Sequence, residues 1–283
     1  MNMKAEKHFI LRHDMSIDLQ GRTLYRIEAL QDLDIHSVKK GDFGGYVEKE
    51  ANLGENAWVF GNAKVFGEAE VYGYAVVGGD AEVYGDAKVF GAAKVFGNAM
   101  VYGNAKLYGN AEVYGSAQVY GNSRVFDVAE VFDNTDVYGN ARVFGGSLVY
   151  GAAQVFGDAK VFGGAYVYGN SKVYGDAEIS GDVWVGGDSR VPCDVIKSTD
   201  DCINIMNTRY IVTLTPKFIN IGCQLHPKEE WWGYTDKDIL KMDGKPGLMW
   251  WRKWKPALQA ICSSTAGTEE QSAQCINKDK KGE

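Results

Sequence analysis

No run of 18 apolar residues occurs anywhere in the 283-residue chain, and the opening Met1-Asn2-Met3-Lys4-Ala5-Glu6-Lys7 lacks the apolar core of a signal peptide. Neither a membrane span nor a secretory leader is expected, and the expected compartment is the cytoplasm, the host's if the chain is phage-encoded. Cysteine is absent before Cys193; the five present, Cys193, Cys202, Cys223, Cys262 and Cys275, are odd in number, which argues for reduced thiols over a disulfide framework. Proline is absent before Pro192. Histidine is scarce, with His8, His13, His36 and His226 all lying outside residues 47–191. G-x-S-x-G, a P-loop and a dinucleotide-binding glycine fingerprint are missing, so the common phosphate and acyl-transfer signatures are excluded.

Glycine is what the chain has in excess. There are 35, and 25 of them fall within residues 47–191. With 12% aromatics this stretch is too apolar for a disordered linker, and a glycine every sixth residue is not the every-third pattern of collagen.

An aliphatic residue stands at every sixth position from Val47 through Leu53, Val59 and Val65 to Ile179, Val185 and Val191, 25 consecutive hexads without an insertion. Two residues earlier stands Ala or another small residue, as at Ala63, Ala81, Ser123 and Ser171. The unit reads A-x-V-(F/Y)-G-(N/D). Alternation within it puts the small and aliphatic residues on one side of a short strand, and the Gly-Asn or Gly-Asp pair supplies a corner. A coil of short parallel strands follows, three hexads to each turn. The expected fold is all-β: a parallel β-helix of about 8 coils, roughly 40 Å long. Both ends of such a stack need caps.

The expected domains are a small N-terminal β cap at 1–46, the β-helix at 47–191, an α+β domain at 192–262 and a polar, disordered tail at 263–283. In the cap, His8–His13 and Thr23–Leu30 read as strands around Gln20-Gly21. Beyond Pro192, strands are expected at Cys202–Met206, Tyr210–Thr215 and Phe218–Gln224, and helices at Asp236–Met242 and Leu248–Cys262, the latter kinked or started by Pro256. Five tryptophans, Trp231, Trp232, Trp250, Trp251 and Trp254, gather here, as a compact core or a ligand cage.

The hexad spacing and the small-residue position resemble the hexapeptide-repeat, left-handed β-helix proteins. More specifically, Leu24–Leu30, Lys40–Glu48 and Asn56–Phe60 resemble the opening of the YdcK-type members of enterobacteria and their phage and prophage relatives. The likeness spans roughly residues 20–191. The left hand is implied by it alone, since the period does not fix the hand. It implies a phage or prophage binding or scaffold protein, such as an inhibitor of a host system. Relatives are often labelled acetyltransferases by fold, so an acyltransferase-like enzyme with a site at a subunit crevice is the alternative. Such enzymes use a coil histidine and a loop that interrupts the register. This chain has neither, so no catalytic residue and no cofactor is assigned.

Metal binding has two weak candidates: Cys223-Gln224-Leu225-His226, half of a zinc site that lacks a second close pair beside Cys202 or Cys193, and an acidic knot at Asp127, Asp133 and Asp136. No metal ligand is assigned. The outer surface offers more. Aromatics follow the aliphatic in 19 of 20 hexads from Phe60 to Tyr174, Gly78 being the exception, so three ladders of rings are expected. Their extent reads either as mutual packing or as an interface.

One face carries Glu70, Lys88, Lys106, Arg124, Arg142, Lys160 and Glu178, each three hexads from the next, beside Tyr108, Phe126 and Phe144. Five cations in a line repel, and an anionic partner would relieve this. Residues 47–191 carry a net charge of −8, which disfavours nucleic acid or a nucleotide. The expected binding residues are therefore Lys88, Lys106, Arg124, Arg142, Lys160, Tyr108, Phe126 and Phe144, for a protein partner or self-association, with no membrane involved. A second face runs from Trp58 and Val76 through Lys94, Glu112 and Glu130 to Leu148, Tyr166 and Trp184; its apolar ends read as docking surfaces for the two caps.

Overall fold

The computed structural model describes residues 7–264. Two-residue strands recur every six residues from Trp58–Val59 to Arg190–Val191, each formed by the outward residue and its aliphatic neighbour. They assemble into three parallel sheets that run the length of a coil of about eight turns. The register is three hexads: Val65 pairs with Val83, and Val83 with Val101. The aliphatic column and its small companions are sealed, Val65, Val83 and Val101 all at 0% exposure. Where a hydroxyl replaces Ala inside, it donates to the carbonyl three residues back, Ser123 to Tyr120 at 2.8 Å and Thr135 to Phe132 at 2.7 Å, so no buried donor is left over there.

Each turn donates its backbone N–H groups to the carbonyls of the next. Lys106 N–H reaches Ser123 O at 3.0 Å, and the corner amide of Asn104 reaches Gly121 O at 2.8 Å, so most corners are paired like the strands. Backbone therefore stacks on backbone at most corners. Gly115 has φ +72°, and a Cβ there would lie 2.8 Å from the backbone nitrogen of Asp133. Asp127 and Asp133 adopt the same left-handed conformation, at φ 61° and 60°. Their carboxylates accept the N–H of Gly145 and Gly151 in the following turn, at 3.2 and 3.1 Å. The acidic knot is thus a pair of corner substitutes.

The chain enters through a hairpin, Phe9–Leu19 with Arg22–Ala29, that pairs onto Phe43–Val47 and continues one coil sheet outward. Both expected cap strands are present, the first running further than expected. Trp58, at 1% exposure, is covered at this end, with the imidazole of His8 against it and His8 Nε2 3.1 Å from Ala57 O. At the other end the expectation fails. Trp184 is 52% exposed, stacked on Tyr166 at 4.6 Å.

The coil also outlasts its hexads. Val195–Ile196 adds one more rung, Ile196 pairing with Ile179 after a step one residue shorter than three hexads. An antiparallel sheet follows, Ile203–Ile205, Val212–Leu214, Phe218–Ile221 and Gln224–Pro227, then α1 (Lys228–Gly233) and α2 (Asp236–Ser264). The fourth strand and α1 were not expected. Pro227 ends that strand and directly precedes α1, a position where its missing N–H costs nothing. The break in α2 falls at Asp243 and Gly244, where the backbone leaves the helical region and Gly244 takes φ 64°, so Pro246 opens the second segment and Pro256 is accommodated within it. The head joins the coil through buried polar groups. Asp194, at 0% exposure, accepts from Thr215 Oγ1 and from Lys217 N–H, and its burial pushes its pKa up.

Cys193 is disulfide-bonded, contrary to the expectation of reduced thiols throughout, while Cys202, Cys223 and Cys262 are free; an odd count fixes only that at least one cysteine is left over. Cys202 is buried and its thiol is pushed up to about 12 by that burial. The expected tail at 263–283 lies outside the described residues except for Ser263 and Ser264, which end α2. Among the described residues no helix is long and apolar enough to cross a membrane.

Candidate functional site

Repetition places the candidate residues. Because the register is three hexads, Lys88, Lys106, Arg124, Arg142 and Lys160 become direct neighbours on consecutive strands of one sheet. Glu70 extends the column at one end and Glu178 at the other. Beside it Tyr72, Phe90, Tyr108, Phe126, Phe144 and Phe162 form a ladder of nearly parallel rings with centroids 4.7 to 5.0 Å apart. All eight expected binding residues therefore lie together on one face.

Electrostatic relief along this column is uneven. Lys88 Nζ sits 3.0 Å from both carboxylate oxygens of Glu70, which raises its pKa, and Lys160 pairs with Glu178 at 2.5 Å. Lys106, Arg124 and Arg142, in the middle, are exposed and make no ion pair or side-chain hydrogen bond among the described residues. The chain handles other outward columns differently. On the second face Glu112 pairs with Lys94 at 2.8 Å and Glu130 accepts from the Tyr114 hydroxyl at 2.8 Å; Tyr114 ionisation is pushed up by burial and by that carboxylate. On the third sheet Lys64 pairs with Glu82 at 2.8 Å, while Lys172 and Arg190 form a shorter, half-buried basic run.

The ring ladders explain much of the apolar exterior. Each interior rung is covered above and below, so the rings are half-buried rather than exposed. A second ladder runs unbroken from Phe66 to Tyr174. The third is interrupted where the sequence places glycine. A Cβ at Gly78 would lie 2.7 Å from the Phe96 ring, and one at Gly186 only 2.1 Å from the Tyr168 ring. A neighbouring ring therefore occupies the volume a side chain would have taken.

The other candidates are spread apart. His36 Nε2 lies 2.7 Å from Asn56 O, His13 packs edge-on against Tyr25, and His226 meets Glu230 Oε2 at 3.0 Å and the Tyr234 hydroxyl at 2.9 Å. Cys223 is exposed beside Gln224, and no cluster of three or more His, Cys, Asp or Glu side chains able to hold a metal exists among the described residues. Sequence reading missed one feature, a cavity in the head; its walls come from distant elements, and only the density of tryptophan hinted at it.

No curated protein matches the chain. Residues 137–151 match the family model of the YdcK β-solenoid repeat. These residues lie on the central turns and run from the end of the Asp136–Val137 strand through the strands Arg142–Val143 and Leu148–Val149, with the corners on either side of Arg142. The chain thus carries a β-solenoid of about eight turns of three parallel strands, within which residues 137–151 match the YdcK repeat.

Proposed function

We propose that this chain is a non-enzymatic binding or scaffold module whose contact surface is the column Lys106, Arg124 and Arg142 with the ladder rings Tyr108, Phe126 and Phe144. One observation carries the reading: three adjacent cations lack a partner in a coil whose other outward charges are mostly paired. Like charges one strand apart, roughly 4.8 Å, lie inside a Debye length of about 8 Å, so each such step destabilises the coil unless something anionic covers it. An acidic protein surface, from another protein or a second copy, would relieve this repulsion, and the ring edges would add apolar contact. A rigid solenoid suits the task, because its rungs fix the spacing of the cations without an ordering cost at binding.

The test is the triple change Lys106→Glu, Arg124→Glu and Arg142→Glu. It replaces four like-charge steps with two, because Lys88 and Lys160 then face carboxylates, so the melting temperature should hold or rise. Sedimentation velocity and capture from lysate should show loss of self-association or of partners retained by the unmodified chain. Retention of both would mean that the column is merely solvated.

A further inference from the structure

Two positions of each turn set the charge along the basic column. Two residues before the central cations, at the preceding corner, stand Asn104, Asn122 and Asn140; Asp86 and Asp158 hold that place on the rungs either side, and Glu68 and Asp176 hold it beyond. Corner and strand positions together give each of the three central rungs a formal charge of +1, the rungs of Lys88 and Lys160 zero, and those of Glu70 and Glu178 −2. A positive island three rungs long is therefore bounded by acids at both ends.

The corner amides are aligned along it, Asn122 Nδ2 donating to Asn140 Oδ1 at 3.2 Å and Asn140 Nδ2 to Asp158 Oδ1 at 2.9 Å. The opposite flank is apolar, with the edges of Tyr108, Phe126 and Phe144 and then Val128, which is 55% exposed. Asp127, beside Val128, is turned onto the Gly145 N–H.

This layout selects among anionic partners. Nucleic acid carries its phosphates past three rungs onto the acidic ends, and the ladder rings lie face to face at 4.8 and 4.7 Å, so they offer bases only edges. A second copy lacks the complement. No outward strand column of the coil stacks three acids, and the one adjacent pair, Glu112 and Glu130, is held by Lys94 and the Tyr114 hydroxyl. Spacing decides what remains. Rungs about 4.8 Å apart put Arg142 roughly 9.6 Å along the axis from Lys106. Helix residues i, i+4 and i+7 share a face and span about 10.5 Å, whereas three same-face residues of an extended strand span about 13 Å. A helix is also about 10 Å across, the width of a coil face three residues wide.

Building on the column as the proposed contact surface, we infer that it takes an amphipathic α-helix of another protein, laid along the coil axis. Carboxylates at i, i+4 and i+7 sit over Lys106, Arg124 and Arg142, and apolar side chains run along the edges of Tyr108, Phe126 and Phe144.

The probe is a labelled, hydrocarbon-stapled helix of about 18 residues, stapled because short helices are marginal in water. It is alanine and glutamine except for glutamate at i, i+4 and i+7 and leucine at i+1 and i+8. Anisotropy titrations with the full chain at low salt should saturate with a Kd on the order of 10 to 100 μM and weaken as salt rises. Three competitors should each bind at least about tenfold more weakly: an isomer with its glutamates spread round the helix, a hairpin with three glutamates on one face, and a single-stranded oligonucleotide. Asn104→Asp, Asn122→Asp and Asn140→Asp together repeat the corner residue already present at Asp86 and Asp158, and should abolish helix binding with every cation in place. Lys106→Glu, Arg124→Glu and Arg142→Glu together should abolish it too, and that chain should bind the helix with lysine in place of its glutamates. No binding of the acidic helix, equal affinity for any competitor, or unchanged binding after the three asparagine changes overturns the helical partner. Failure of the column as a contact surface looks different: the charge-reversed chain then binds the acidic helix as tightly as the original.

Discussion

The coil and the head achieve burial in opposite ways. In the coil the interior positions are filled by small and aliphatic residues, nearly all at 0% exposure, and each is dictated by its counterpart one turn away. In the head the core is built from Val212, Leu214, Ile219, Trp231, Trp250, Trp251 and Leu258, drawn from different elements and packed by shape. Copies of a small residue stack without gaps. Unlike large rings meeting at steep angles leave a cavity. Repetition thus yields a surface of regular spacing, whereas irregular packing yields a concave site.

The largest expected effect tests the dependence on copies. A single residue inserted after Gly103 would turn every later aliphatic of the coil outward and set side chains against backbone at each corner. Loss of a cooperative thermal transition by circular dichroism is the expected result. The same insertion after Asn207, in the exposed turn between two head strands, should shift the melting temperature by only a few degrees. Comparable damage at both sites would erase the distinction.

Glycine substitution sharpens it at smaller scale. Gly115→Val demands a left-handed β-branched residue and drives a Cβ into the backbone of the next turn, which should cost at least ~2 kcal/mol by denaturant unfolding. Gly233→Ala in the head meets open space at an ordinary φ and should change stability by no more than about 1 kcal/mol, in the stabilising direction.

The smallest effect is one of pH. Burial raises the ionisation of Tyr84, Tyr102, Tyr120 and Tyr138 in one ladder, Tyr102 being pushed up to about 12. An unfolded tyrosine ionises near 10. Below that pH both states are protonated and stability is unaffected. Between about pH 10 and 12 the unfolded chain loses protons that the coil retains, so stability falls as pH rises. Melting temperatures measured at pH 9 and 11.5 should show this decline, and replacing the four tyrosines with phenylalanine should flatten it. A decline unchanged in that variant would place the alkaline sensitivity elsewhere, for instance at Tyr234 in the head, which is also pushed up to about 12.

The period of six, carried without a slip from Val47 to Val191, determined the coil, its core residues, its three-hexad register and the alignment of Lys88 through Lys160, because in a stacked repeat each residue's neighbours are fixed by counting. The two caps were legible as caps but not in detail: cover over Trp58, its absence over Trp184, the extra rung at Val195–Ile196 and the strand at Gln224–Pro227 depend on how unlike segments dock. Sequence also could not say that Glu70 and Glu178 would neutralise the ends of the basic column and leave its centre bare, since pairing depends on side-chain geometry beyond register. Least legible was the cavity. It exists because a helix breaks at Asp243 and Gly244 and brings Trp250 back against Tyr210, a contact between distant stretches of the chain that no local pattern encodes and only three-dimensional packing decides.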